Sequence, residues 1–166
     1  KIVITTQESG HRIINKTGEL ANPADRDHCI QYMVAVPLIF GRLVADDYED
    51  SVASDPRIDT LRAKMEVVVD PRYTKEYLDS DKRSIANAVE IYYKDGSKSQ
   101  KVEVEYPIGH KRRRDEGIPL LKAKFKANLA TRFSPKTCKI IEDLVNDQRA
   151  LESYNFNEFS DLFWQG

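Results

Sequence analysis

An α+β fold is predicted by three features of this 166-residue sequence. A β-branched run opens the chain, two alternating runs flank an Asp95-Gly96 pair, and helical periodicity fills the last third. In the opening run Ile2 and Ile4 fall on one face and Val3 and Thr5 on the other, the period-two pattern of a strand. Asn22 can cap a helix whose first-turn residue is Pro23, where the missing N–H costs nothing, and Asp25 and Asp27 sit at the positive end of its dipole. Gly41 is its natural stop. Pro37 lies inside that span and removes the bond to the Met33 carbonyl, so a kinked or two-part helix is expected.

Asp55-Pro56 repeats the cap-plus-proline signal. Ile58, Leu61 and Met65 then recur at helical spacing before Val67-Val68-Val69 turns strand-like and Pro71 closes the segment. Residues 86–93 and 101–106 alternate, with Val89, Ile91 and Tyr93 on one face and Val102, Val104 and Tyr106 on another; the Asp95-Gly96 turn makes them a β-hairpin. The polar run Asp79-Ser80-Asp81-Lys82-Arg83 reads as a loop. From Pro119, Leu121, Phe125, Leu129 and Phe133 mark one helical stripe. Ser134-Pro135 starts a second helix with Cys138, Ile141 and Val145, and Phe159, Leu162 and Phe163 mark a third. This order fits an α+β domain over residues 1–117 followed by helices over residues 118–166, with the boundary near Gly117.

Composition removes several function classes. Lys and Arg number 26 against 27 Asp and Glu, a formal net charge of -1, so no global charge steers the chain toward nucleic acid or an anionic membrane. The two cysteines, Cys29 and Cys138, form no CxxC pair and no disulfide framework. No apolar run approaches the roughly 18 residues that a spanning helix needs. Lys1 opens directly onto a strand-like run, so the chain is expected to be a fragment or a processed product. The three histidines, His11, His28 and His110, are scattered and no HExxH occurs, which gives no handle for a metal or an iron–sulfur cluster. Phosphate-loop, GxSxG and dinucleotide motifs are also lacking.

Two local constellations remain. On a single helix, Asp25, His28 and Tyr32 at i, i+3 and i+7 would share a face and meet a common ligand, with His28 exchanging protons and Tyr32 donating to a departing oxygen. The plainer reading makes Asp25 part of the cap and His28 and Tyr32 satisfied surface residues. Arg26 can clamp a carboxylate or pair with Asp25 and Asp27. The basic run His110-Lys111-Arg112-Arg113-Arg114 could form a non-catalytic anion-binding module. Asp115 and Glu116 follow it and no aromatics are interleaved, so a solvated loop or salt-bridge patch is favoured over nucleic-acid binding.

The runs Asn22-Pro23-Ala24-Asp25-Arg26-Asp27-His28-Cys29-Ile30-Gln31-Tyr32, Phe40-Gly41-Arg42-Leu43, Asp47-Tyr48-Glu49-Asp50, Asp81-Lys82-Arg83-Ser84-Ile85-Ala86-Asn87-Ala88 and Val104-Glu105-Tyr106-Pro107-Ile108-Gly109-His110 span nearly the whole chain and resemble the MmgE/PrpD family. The resemblance implies a lid-type α+β domain over residues 1–117, with the later helices returning to a large all-helical domain and the active site in the cleft between. It implies a homodimer without cofactor or iron–sulfur cluster, acting on a tricarboxylate. The implied reaction is hydro-lyase chemistry, 2-methylcitrate to 2-methyl-cis-aconitate, in the methylcitrate cycle of propionate catabolism. Decarboxylation of cis-aconitate, within the same family, is the alternative, and Pro23-Ala24-Asp25-Arg26-Asp27-His28 favours dehydration. Tyr32 matches a family active-site tyrosine; His28 beside it and Arg26 as a substrate-binding group follow. The family's principal catalytic histidines and lysines would precede Lys1, so autonomous activity is not expected. The compartment implied is the mitochondrial matrix for a eukaryotic source and the cytoplasm for a bacterial one.

Overall fold

A computed structural model describes residues 1–164 and divides the chain into two compact units, Lys1–Pro107 and a second that begins at Ile108. The first is built on a four-stranded sheet of order β2-β1-β3-β4, with β1 Ile2–Thr6, β2 Met65–Val69, β3 Asn87–Ile91 and β4 Val102–Val104. β1 pairs parallel with β2, Ile4 opposite Val67, and antiparallel with β3, Ile4 opposite Val89. Parallel neighbours need a long crossover. It holds α1 Glu8–Ile14, α2 Pro23–Asp27, α3 Ile30–Phe40, a 3-10 turn Ala45–Tyr48, α4 Asp50–Ala53 and α5 Pro56–Arg62. β2 leads through α6 Pro71–Leu78 to the hairpin β3–β4, whose turn carries Gly96 at φ 86°.

The expected two-part helix is present, but the break falls at His28 and Cys29, ahead of Pro37, and α3 runs through the proline to a left-handed Gly41 at φ 71°. Cys29 is extended and fully buried, its Sγ near the Lys16 carbonyl, and this inward pull ends α2 where sequence periodicity would have continued it. Asp25 and His28 therefore do not share a helix with Tyr32. β2 ends at Val69, just ahead of Pro71 as expected, and Pro71 also opens α6; Asp70 accepts from the Arg72 amide, as Asn22 does from Asp25 and Asp55 from Arg57. The helix of Ile58 and Leu61 stops at Arg62, and Met65 already belongs to β2.

Two apolar clusters meet on α3. Ile30, with Met33 and Val34, packs on the sheet face of Ile2, Ile4 and Val67. Cys29, Tyr32, Ala35 and Val36 face Ile58 of α5. On the opposite sheet face fully buried Tyr73 of α6 donates its hydroxyl to Glu103 at 2.5 Å, and Arg72 reaches the same carboxylate at 2.8 Å.

In the second unit a 3-10 turn Lys111–Arg113 leads into α7 Arg114–Ala130, then α8 Pro135–Asn146, α9 Gln148–Ser153 and α10 Phe156–Asp161. Leu129, Cys138 and Ile141 form its core with Phe125, Phe133 and Leu162 around them. Leu121 is 61% exposed, and in α8 Leu144 is buried with Cys138 and Ile141 in place of the expected Val145. Gly117 lies inside α7. Its helical φ needs no glycine, but an added Cβ would sit far inside van der Waals distance of the Ile108 carbonyl oxygen.

Two outcomes are expected. Arg72, then Tyr73, hold the Glu103 carboxyl below the usual range. A folded value lower than the unfolded one means that this tie stabilises the fold above about pH 4.3 and is lost as pH falls through the depressed folded value. Glu103→Gln should thus flatten the acid side of the stability profile, measured by thermal melts from about pH 3 to 6. Gly117→Ala, favoured by about 1 kcal/mol from helix propensity alone, should lower the melting temperature because the Ile108 backbone must move.

Candidate functional site

α2 is only five residues long and is held by polar ties at both ends. At its start the Asn22 side chain accepts from the Asp25 amide at 2.9 Å. The Asp25 carboxylate accepts from the Ala21 amide, the Asn22 side chain and Lys16 at 3.2 to 3.3 Å. Asp25 is thus a capping residue, as its plainer reading held. At the end Arg26, 6% exposed, donates through Nη1 to the Tyr48 carbonyl at 2.7 Å and pairs through Nη2 with Asp50 at 2.6 Å. Its guanidinium thereby fastens α2 to the 3-10 turn and to α4.

Tyr32, on the first turn of α3, is 2% exposed. Its hydroxyl donates to the Asp47 carbonyl at 2.6 Å, and its ring stacks on Tyr48 with centroids 5.9 Å apart. Burial pushes the Tyr32 phenol above its usual range, with Arg26 and Arg62 opposing that rise. Burial, then Asp27, raises Tyr48 as well. Both phenols are neutral donors near pH 7. Beside them the buried Asp47 carboxylate accepts from the Val44 amide at 2.8 Å and from Arg42 at 3.0 Å.

His28 caps the C-terminal end of α2 with its side chain 60% exposed, and its Nδ1 pairs with the Asp27 carboxylate. With Nδ1 engaged, Nε2 is the ring position open to a ligand, and a carboxylate-oriented imidazole is suited to passing a proton. The arrangement differs from a shared helical face. His28 stands at the surface, Tyr32 lies in the core one helix later, and Arg26 links α2 to the turn that receives the Tyr32 hydroxyl. Asp47, Arg42, Tyr48 and Asp50 complete this cluster and were assigned no role from sequence. The only signal for Asp47 was its place three residues after Val44, from which a carboxylate can reach back to the amide at a helix start.

The basic residues 110–114 belong to the second unit. His110 accepts from the Arg112 amide through Nδ1 at 3.1 Å, and Arg113 pairs with Glu116 at 2.7 Å. Among the described residues no group of three His, Cys, Asp or Glu side chains is placed to hold a metal ion, and no helix is long and apolar enough to cross a membrane.

Residues 1–149 match the MmgE/PrpD C-terminal domain. The chain is 57% identical over 162 residues to the 2-methylcitrate dehydratase of Cupriavidus necator, covering 98% of this chain and 34% of that protein. It is 53% identical over 163 residues to that of Escherichia coli strain K12, with 98% and 34% covered. The mitochondrial 2-methylcitrate dehydratase of Yarrowia lipolytica is 53% identical over 162 residues, with 98% and 31% covered. The chain spans about a third of the length of these curated relatives. A match over most of the chain, joined to the α+β architecture, establishes that this chain belongs to the MmgE/PrpD family and carries its C-terminal domain.

Proposed function

We propose that this chain contributes the α2–α3 side of a hydro-lyase active site that removes water from 2-methylcitrate to give 2-methyl-cis-aconitate. The observation that carries this reading is identity of 53–57% over 98% of the chain to proteins named for that reaction. Elimination requires a base to take a proton from carbon next to a carboxylate, an acid to protonate the departing hydroxyl, and donors to hold the tricarboxylate as charge develops.

His28 is the group with the exposure and the polarity for proton transfer. Asp27 on Nδ1 orients the ring and leaves Nε2 for substrate. Tyr32 supplies a neutral phenol whose resting acceptor is the Asp47 carbonyl, and it acts on substrate only if that turn yields the hydroxyl. Arg26 serves the site from behind by holding Tyr48 and Asp50. In this reading the α+β unit is the lid-type domain, the helices beyond Gly117 belong with a larger helical domain, and the whole protein is a cofactor-free homodimer. The compartment follows the source, mitochondrial in a yeast such as Yarrowia and cytoplasmic in a bacterium.

Two substitutions in the full-length protein test the assignment. His28→Asn should leave the melting temperature unchanged and lower kcat by about 10²- to 10⁴-fold, read from the absorbance of the conjugated product. Wild-type turnover would remove His28 from the chemistry. Tyr32→Phe should destabilise the fold by about 1–3 kcal/mol, because it leaves the buried Asp47 carbonyl without its donor. An unchanged denaturation midpoint would show that this bond is not made. A fall in kcat that persists under conditions where the variant is fully folded would place the hydroxyl in the reaction.

A further inference from the structure

Behind the candidate site, a chain of polar side chains runs from α1 to the start of α3. Cys29 is fully buried, with Sγ 3.4 Å from Gln31 Oε1 and 3.5 Å from the Lys16 carbonyl. Buried Gln31 donates through Nε2 to Asn15 Oδ1 at 2.6 Å. Asn15 Nδ2 stands 3.1 Å from Nε2 of His11, and both of these residues are half-buried.

An amide side chain has one donor end and one acceptor end, so the directions of these bonds are linked. With the Cys29 thiol donating to Gln31, Gln31 donates to Asn15 and Asn15 donates to His11. His11 Nε2 must then be an acceptor, with the neutral ring carrying its proton on Nδ1. A proton on Nε2 reverses each step. Nε2–H donates to Asn15 Oδ1, Asn15 Nδ2 to Gln31 Oε1, and Gln31 Nε2 to the sulfur. The thiol proton turns to the Lys16 carbonyl, the second acceptor already within reach. Both arrangements keep a donor facing an acceptor at each of the contacts that link the four side chains, and they differ by one proton taken up at His11 from solvent.

We propose that His11, Asn15, Gln31 and Cys29 form a two-state, proton-operated relay in which protonation of His11 flips both amides and turns the Cys29 S–H from Gln31 to the Lys16 carbonyl. The relay ends at Cys29 and Gln31, two of the three residues between His28 and Tyr32, where α3 begins, and it stands without reference to the reaction proposed above. His11 joins no ion pair among the described residues. Glu8 and Arg12 share α1 with it, and nearby Lys16 pairs with Asp25 at 3.3 Å. α1 packs against α6 and β2. On α6, Arg72 pairs with Glu76 and Glu103, Lys75 stands in the last turn, and Glu76 pairs with Lys82; on β2, Glu66 pairs with Lys1. These cations and carboxylates are largely matched with one another, which leaves Asn15 as the polar contact through which a proton on His11 is transmitted.

The test titrates the full chain, labelled with ¹⁵N and ¹³C at histidine, from about pH 5 to 9 while infrared spectroscopy follows the S–H stretch, with Cys138→Ser present to leave one thiol. Neutral His11 should be the Nδ1–H tautomer, and the Cys29 S–H band should shift with the same midpoint as the His11 ring signals. In Gln31→Met the ring should still titrate and the band should stay fixed. His11→Gln, which has no titrating ring, should also fix the band and serves if Gln31→Met fails to fold. A neutral His11 with its proton on Nε2, a band that does not move through the His11 titration, or a shift that survives in either variant overturns the relay.

Discussion

Ile30–Phe40 is apolar around most of its circumference, and such a helix must be covered on more than one side. The sheet covers the side of Ile30, and Ile58 with the segment between α3 and α5 covers the side of Tyr32 and Val36. Burying one residue of Val, Leu or Ile size contributes about 1.5–3 kcal/mol, so both covers are strongly favoured. The polar consequences follow from the second cover. A buried phenol must find an acceptor, and the nearest one comes from the turn laid over it, the Asp47 carbonyl. That turn is itself fixed by the Asp47 carboxylate and by Arg26. Packing of α3 thus determines where α2 ends and what surrounds His28.

Much of this architecture was legible because its signals are local. Asn22-Pro23, Asp55-Pro56 and Ser134-Pro135 each start a helix as read, since a side-chain acceptor and a proline in the first turn act within a few residues. Asp70-Pro71 carries the same signal, and there the proline marks both the end of a strand and the start of α6. The hairpin around Asp95-Gly96 formed as expected, with strands shorter than the alternating runs. The break at His28 was not legible. It depends on Cys29 turning inward to the Lys16 carbonyl and Gln31, contacts that bridge 13 residues for the carbonyl and leave no periodic trace.

The same distinction explains the candidate site. Resemblance and residue type single out Tyr32 and His28, but a shared face for them requires an unbroken helix, and the helix breaks between them. The ties of Asp47 to Tyr32 and of Asp50 to Arg26 are not legible because they reach back 15 and 24 residues. A spacing rule sees one helix face. It does not see a hydroxyl satisfied by a carbonyl of a later turn.

Five-residue helices lack intrinsic stability, because nucleation fixes several residues for very few hydrogen bonds. α2 buries only Arg26, so apolar packing does not hold it in place. Its position rests on the Asn22 cap and the two bonds of the Arg26 guanidinium. A buried guanidinium that loses its partners carries a large desolvation penalty, so these ties form or fail together. His28 consequently sits on an element placed by polar contacts, directly ahead of the apolar clusters on α3. His28 thus stands at the surface ahead of the apolar core, with Cys29 and Gln31 as the point where the polar ties and that core meet.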